Sequence, residues 1–341
     1  MEQNGGVLKK LGQQIWPQVT VVIVNWNGGQ FLERCLAALM AQTVKPHEII
    51  VVDNASSDGS IKIVQQFPGV RLLAQDQNTG FARGNNLAIA AASAKSEWIA
   101  LLNPDAFAEP NWLEALLMAT ESNPGFDVFG SKLVNASNTS VLDGVGDIYH
   151  VIGLAWRSGY GVAVSTLAEN EREVFSPCAA AAMYRRSALA YVDGFDEDYF
   201  CYVEDVDLGF RLRLAGYRCL YVPQSVAHHV GSGTTGGQDS DFVMYHGHRN
   251  SVWTYVKDMP GLLFWLFLPL HVSLNLASII WFSLQRRRGD VIWRAKRDAV
   301  VDLPKMWRKR QFIHSKMRHV SIYEVWRQLD KRLNITKLGR K

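Results

Sequence analysis

The sequence predicts an α/β domain with a mostly parallel central sheet and helices on both faces, followed by a helical, basic, membrane-associating C-terminal region. Three observations predict it. Buried-strand patterns alternate with helical patterns from Val19 to Leu102. Polar residues gather where those strands end, the place where open α/β sheets bind ligands. Charge is divided along the chain: residues 1–256 hold 17 Lys and Arg against 26 Asp and Glu, whereas residues 257–341 hold 19 against 6.

Met1 to Trp16 is polar and lacks an apolar core segment, so no secretory signal peptide is expected there and the folded domain should start near Pro17. Val19 to Val24 (VTVVIV) is a β-branched run bounded by Asn25 and Gly28, as expected for a strand buried on both faces. Phe31 to Met40 then carries apolar residues at helical spacing. His47 to Val52 is a second buried strand ending at Asp53, followed by a Ser/Asp/Gly turn and a helix over Ser60 to Phe67. Val70 to Ala74, a helix after Gly84, and Trp98 to Leu102 (WIALL) continue the alternation. Asn25, Asn27, Asp53, Asn54, Asn78, Asn103 and Asp105 stand at the strand ends. Beyond Val134 the pattern breaks into short Gly-punctuated segments, which suits an antiparallel extension with a loop region between Leu142 and Val174. Tyr191 to Ala215 packs seven acidic residues into 25 positions, and Tyr217 to Val222 reads as a returning strand. Gly231 to Gly237 (GSGTTGG) marks a loop and a boundary, dividing a domain over 17–236 from a region over 237–341; it lacks the Lys of a phosphate-binding P-loop.

With 48% hydrophobic and 20% charged residues over 341 positions, the chain has ample core material and is not a disordered protein. Cys35, Cys178, Cys201 and Cys219 form no CxxC pair, which argues against a disulfide framework or a cysteine zinc site and fits a reducing compartment. Gly261 to Leu284 contains no acidic residue, Lys or Arg, is rich in Leu, Phe and Trp, and is followed by Arg286, Arg287 and Arg288. Lipid is therefore a better partner for the basic tail than nucleic acid. Pro269, His271 and Asn275 interrupt the segment, and a single crossing would send residues 1–256 outside. A re-entrant or interfacial helical pair broken near Pro269 is expected in preference to a span or an ordinary core helix. Trp293, Trp307, Phe312 and Trp326 interleave with Arg and Lys as in interfacial helices.

VVIVNWNGGQFLERCLAAL, VVDNASSDGS, NTGFARGNN, LLNPDA, GFDEDYFCYVEDVDLGFRLRLAGY and HHVGSGT occur in that order between Val21 and Thr234. Together they resemble the family 2 glycosyltransferases with a GT-A (Rossmann-like) fold, and most of all the bacterial rhamnosyltransferase-like members that build cell-surface polysaccharides. The likeness covers Gln18 to Gly236; the C-terminal region resembles the membrane-associated tails of that subgroup more loosely.

The resemblance implies roles residue by residue. Asp53 would accept the pyrimidine N3 hydrogen of a sugar nucleotide, whether thymine or uracil, with Asn25, Asn27, Asn54, Arg83, Asn86 and Asn103 around the nucleotide. Asp105 occupies the second acidic position of the DxD metal motif, where it would hold Mg²⁺ or Mn²⁺ beside the diphosphate. The first position is Asn103 in this chain, which weakens direct coordination there. His229, with His228 as the alternate, aligns with a histidine that contacts metal or diphosphate. Glu204-Asp205 matches the ED motif: Asp205 would be the general base of an inverting transfer, with Glu204 beside it and Asp207 and Trp156 toward the acceptor. Each acid also has a plainer reading, as a turn residue or a helix-start carboxylate.

These readings converge on an inverting, metal-dependent glycosyltransferase at the cytoplasmic face of the plasma (inner) membrane, peripheral or monotopic. L-Rhamnose from dTDP-rhamnose is the expected donor and a lipid-linked saccharide the expected acceptor. A UDP-hexose or HexNAc transferase, and an inactive membrane-bound saccharide-binding protein, are the alternatives; a paired-carboxylate hydrolase has no use for the strand-end motifs. Truncation after Lys257 is expected to leave a soluble donor-binding domain.

Overall fold

The computed structural model describes residues 16–167, 170–231, 237, 239–284 and 288–332. Residues 1–15 of the tail expected over 1–16, most of the Gly231–Gly237 loop, Arg286 and Arg287 lie outside the described residues.

Strands β1 (Val19–Asn25), β2 (Glu48–Asp53), β3 (Val70–Ala74) and β4 (Trp98–Leu102) lie side by side in the order β3-β2-β1-β4 and all run parallel. Helices α1 (Gly29–Met40), α2 (Ser60–Val64) and α3 (Gly80–Ala91) make the crossovers between them. The apolar strand residues serve two faces alternately. Val22, Val24, Ile50, Val52, Ile99 and Leu101 enter one core with Ala82 and Ala88 of α3. Val21, Ile23, Ile49, Val51, Ala100 and Leu102 enter the other with Leu32, Cys35 and Leu36 of α1 and Val64 of α2. A strand covered on both sides has no polar face to keep, which is why these runs carry no alternation in sequence.

Past β4 the sheet becomes mixed. The elements that follow are β5 (Ala106–Ala108), α4 (Trp112–Ser122), β6 (Val128–Asn135), β7 (Leu142–Gly144), the hairpin of β8 (Asp147–Tyr149) and β9 (Ala155–Arg157), α5 (Val164–Leu167), β10 (Arg172–Val174), β11 (Ala181–Arg185), α6 (Arg186–Tyr191), α7 (Glu204–Leu214) and β12 (Cys219–His229). Strand β11 inserts antiparallel between β4 and β6, and β12 runs parallel to β6. The returning strand is longer than its sequence pattern: Pro223 breaks the ladder between Val222 and Val226, but pairing resumes and carries the strand on to His229, beside β5. Helix α3 likewise starts four residues before Gly84, and α2 stops at Val64.

The C-terminal helices are α8 (Asp241–Asp258), α9 (Gly261–Leu284), α10 (Gly289–Val301), α11 (Leu303–Phe312) and α12 (Ile322–Gln328). The expected boundary at residue 236 is not a break in packing. Val252, Trp253, Tyr255, Val256, Phe264, Ala299 and Met306 belong to the same core as Val22, Leu101 and Phe210, so the sheet and the C-terminal helices share one hydrophobic core.

The helical pair expected to break near Pro269 is instead one continuous helix, α9, with Pro269 inside it. Pro269 has no N–H to donate and so forfeits a backbone hydrogen bond on the exposed side, where its ring has room. The opposite side is held along its length: Leu263, Phe264 and His271 are buried, and Ile279 and Phe282 pack on Met244, Val291 and Ile292. His271 stacks on Tyr255 with ring centroids 3.9 Å apart, its Nδ1 lies 2.8 Å from the Ile152 carbonyl, and Asn275 Nδ2 reaches its Nε2 at 3.1 Å. The interrupting polar residues thus find protein partners. Leu262, Trp265, Leu266, Leu270, Leu276, Ile280, Trp281 and Leu284 remain exposed as one stripe.

Candidate active site

A cleft of about 490 Å³ opens at the carboxyl ends of β1 and β4, where the crossovers leave the sheet in opposite directions. Val24, Asn54, Gly80, Asn103, Asp105, Trp156, Arg157, Glu204, Asp205 and His229 are among the residues that line it. Four buried polar atoms on these walls have no hydrogen-bond partner among the described residues: His229 Nε2, Asn103 Oδ1, Glu204 Oε2 and Trp156 Nε1. Buried polar groups left unpaired are costly, and these four belong to residues that line a single concave cleft, the kind of place where ligands bind.

Asp105 and His229 form one pole. Strand β4 ends at Leu102, and the turn through Asn103 and Pro104 brings Asp105 to the cleft next to β5, which pairs with the last three residues of β12. Asp105 Oδ1 and His229 Nε2 are 3.4 Å apart, and the other ring nitrogen, Nδ1, is 2.7 Å from Asp143 Oδ2. Asp143 is itself paired with Arg157. Burial would lower the His229 pKa, but the Asp105 and Asp143 carboxylates outweigh it and raise it to about 9. A histidine fixed at Nδ1 by a carboxylate, with Nε2 facing a second carboxylate in a cleft, is how metal-binding imidazoles are oriented. Its neighbour His228 points the other way on the strand and meets Glu109 Oε1 at 3.0 Å.

The second pole is acidic. Glu204 and Asp205 open α7; Glu204 is buried and Asp205 is partly buried at the cleft wall. Asp205 Oδ2 accepts the Ala179 amide at 3.2 Å and Oδ1 accepts the Val206 amide at 2.9 Å. Burial raises the Asp205 pKa above the ordinary carboxylate value. Asp147, also on the cleft wall, is pushed up to about 8 by burial and by the neighbouring Asp205 charge. Glu204 stands well above the usual range, again through burial first and Asp205 second.

Several expected contacts are placed elsewhere. Asp207 turns away from the cleft into full burial, paired with Arg211 at 2.8 Å and with Lys257. Its carboxylate is enclosed by these core partners and does not line the cleft, so it is a core ion-pair residue rather than an acceptor contact. Asp53 lies beneath the wall: it is fully buried, Oδ1 accepts Asn25 Nδ2 at 2.9 Å and Oδ2 accepts the Ser56 amide at 2.9 Å. Asn25 and Asn27 serve the same pair of turns, through Ser56 Oγ at 3.1 Å and the Ser57 amide at 2.8 Å. Arg83 faces Glu197 at 3.9 Å, and Asn86 donates to the Phe195 carbonyl at 2.8 Å, both off the cleft. Of the expected set, Asn54, Asn103, Asp105, His229, Trp156, Glu204 and Asp205 meet in one cavity.

Sequence reasoning missed Asp143, Asp147 and Arg157. They come from the loosened stretch after Val134, where only the spacing of Asp143 and Asp147 around two glycines hinted at a shared face. Gly144 has a steric reason: a Cβ there would sit 2.3 Å from Arg157 Cγ and Cδ, so a side chain would push Arg157 off Asp143.

Comparison with known proteins agrees with this arrangement. Residues 20–192 match the family described as Glycosyl transferase family 2. The chain is 32% identical over 259 residues to an N-acetylglucosaminyl-diphospho-decaprenol L-rhamnosyltransferase of Mycobacterium tuberculosis, covering 70% of this chain and 83% of that one. It is 27% identical to the Escherichia coli rhamnosyltransferase WbbL, covering 62% of this chain and 83% of the relative. In fold it is similar to a mannosyltransferase from Pyrobaculum calidifontis solved with GDP-Man and Mn²⁺, with a TM-score of 0.53 at 16% identity over 92% of this chain and 87% of that one. A sheet that carries its cleft at the β1–β4 switch point, the motifs that line it, and these matches place the chain in glycosyl transferase family 2, as a glycosyltransferase of GT-A fold.

Proposed function

We propose that this chain is an inverting, metal-dependent rhamnosyltransferase that transfers L-rhamnose from dTDP-rhamnose to a lipid-linked saccharide during cell-surface polysaccharide synthesis. The observation that carries the reading is the cleft itself, with Asp105 and His229 at one pole, the ED pair at the other, and open polar atoms on both. The named activity of the Mycobacterium tuberculosis relative supports the choice of sugar and acceptor.

Asp105 and His229 fit a divalent cation: one hard oxygen donor and one imidazole nitrogen that has no hydrogen-bond partner. No group of three or more His, Cys, Asp or Glu able to hold a metal forms among the described residues; a cation held by Asp105 and His229 would take its other ligands from the diphosphate and water. Bound there as Mg²⁺ or Mn²⁺, the cation would neutralise charge developing on the departing diphosphate; the Pyrobaculum mannosyltransferase was solved with Mn²⁺. Asn103, whose Oδ1 has no partner among the described residues, faces the nucleotide; Asn54 shapes the same wall, its Nδ2 donating to Gly80 O at 3.0 Å and its Oδ1 accepting Thr79 Oγ1 at 3.0 Å, and Asp143 keeps the His229 ring in its orientation. Asp205 takes the proton of the acceptor hydroxyl as that oxygen attacks the anomeric carbon opposite the leaving group. Trp156 offers its open indole N–H and ring face to the acceptor saccharide.

The exposed stripe of α9, with Trp293, Trp307 and Phe312 beside it, docks the enzyme in the plane of the cytoplasmic leaflet as a peripheral or monotopic protein. Because α9 is held along one side from Leu263 to Phe282, it lies on the protein surface. The test is a panel of sugar nucleotides incubated with a polyprenyl-diphosphate-linked GlcNAc acceptor, reading release of free nucleotide diphosphate. Release from dTDP-rhamnose that depends on acceptor is expected; turnover confined to UDP-sugars would overturn the choice of donor.

A further inference from the structure

The segment Asp198 to Val203, which delivers Glu204 and Asp205 to the cleft, is held in an unusual backbone. Phe200, Tyr202 and Val203 have φ of 64°, 68° and 68°. The left-handed region is costly for residues with a side chain, and most for a β-branched one such as Val203, so surrounding structure must impose it. Each carbonyl from Asp198 to Tyr202 is taken by a group outside the segment. Arg249 Nη2 donates to Asp198 O at 3.2 Å and to Tyr199 O at 3.1 Å. Phe200 O accepts the Phe81 amide at 2.7 Å and the Ala82 amide at 3.1 Å, capping the start of α3. Gly80 makes that approach possible, because a Cβ there would meet the Phe200 carbonyl at 2.6 Å.

The remaining bonds converge on one side chain. Asn250, on α8 and fully buried, directs Nδ2 at Tyr199 O (3.0 Å), Cys201 O (3.0 Å) and Tyr202 O (2.7 Å). Its Oδ1 accepts Arg249 Nε at 2.9 Å, which fixes the amide with its nitrogen toward the carbonyls. Asn250 does not line the cleft, yet Phe200, Cys201, Tyr202, Val203, Glu204 and Asp205 all do. A donor is required here and a carboxylate would repel three carbonyl dipoles.

We propose that Asn250 is a positioning residue for the transfer step: from outside the cleft it holds the strained segment that sets where the Asp205 carboxylate stands. The inference rests on the reading of Asp205 as the base. It assigns a catalytic consequence to α8, a helix beyond the expected domain boundary. Substrate binding at the Asp105–His229 pole, which Asn250 does not touch, should be indifferent to it.

The experiment is steady-state transfer and nucleotide-diphosphate binding, by the full chain with Mn²⁺, for Asn250→Ala, Asn250→Ser and Asp205→Asn. A displacement of about 1 Å at a reacting group can cost on the order of a hundredfold. Asn250→Ala is therefore expected to lower kcat by roughly ten- to a hundredfold, with Kd for the nucleotide diphosphate within about twofold of wild type. Asn250→Ser keeps one donor and should fall between. If Asp205→Asn transfers normally, the base reading fails. If Asp205→Asn is inactive while folded Asn250→Ala keeps the wild-type kcat, the positioning role alone fails. Equal loss of donor affinity and kcat, or failure of both Asn250 variants to fold, makes Asn250 a stability residue and overturns the inference.

Discussion

At the scale of single residues, the two poles of the cleft make different demands and give separable outcomes. Asp205→Asn should retain donor binding while transfer falls by about 10²- to 10⁴-fold, the usual cost of losing a general base. In the proposed base role it would act ionised, and burial holds its pKa above the ordinary carboxylate value. Activity should consequently rise with pH through that raised pKa and be lost as pH falls through it; a kcat/KM profile with its acidic limb at the unperturbed Asp value near 3.9 would contradict this. Asp105→Ala should abolish turnover and chelation should silence the wild type; full activity in EDTA would sink the metal assignment. Asp207 behaves as a core residue instead. Breaking its buried pair with Lys257 and Arg211 by Asp207→Ala should cost about 3–5 kcal/mol of stability, visible in Tm, because buried partner charges are left uncompensated.

At the scale of elements, α9 carries the exposed apolar stripe and α11 reaches toward the acid-rich segment. Aspartates placed at Leu266, Leu270 and Ile280 interrupt the exposed stripe without entering the core. They should shift the protein from the membrane to the soluble fraction while donor binding persists; continued sedimentation with membranes would refute docking by this face. Protease added to sealed, right-side-out cells should cut neither flank of α9. Helix α11 reaches the acid-rich segment through Lys309, which pairs with Asp196 and lies 2.6 Å from Asp198. Burial alone would raise the Asp196 pKa, but Lys257 and Lys309 hold it far below the ordinary value. A depressed folded pKa stabilises above the unfolded value near 3.9, and that contribution is lost as pH falls below it. Lys309→Met should flatten the dependence of Tm on pH in that acidic window.

At the scale of the whole molecule, the shared core decides what can be removed. Truncation after Lys257 keeps every cleft residue but strips α9 to α11 from Trp253, Val256 and Phe210 and removes the Ala299 carbonyl that accepts the Trp253 indole N–H at 3.2 Å. The shortened chain should therefore express as aggregate or unfold well below the full protein, contrary to a two-domain reading of the charge split. A soluble, donor-binding product would show that the first 257 residues fold alone.

Much of this molecule was legible in the amino-acid order. Strands β1, β2 and β4 announce themselves because a strand covered on both faces must be apolar throughout, and the residues after them must be polar because that is where the cleft opens. Asp105, His229, Glu204 and Asp205 could be singled out because they sit in short, contiguous motifs, and the fold sets all four on one cleft. Only the tertiary structure decided the rest. Asp147 and Arg157 reach the cleft, and Asp143 reaches the His229 ring behind it, through small strands with no period long enough to read. Asp53 and Asp207 share the acidic chemistry of the site but are buried beside it, a distinction that depends on which neighbours close over them. Pro269 reads as a break, yet the helix continues because its ring falls on the open side and His271 and Phe264 are anchored on the other. Asn250 looks like any polar helix residue, and its three carbonyl partners lie about fifty positions away in sequence. Contacts of that separation are made by packing and leave no local pattern.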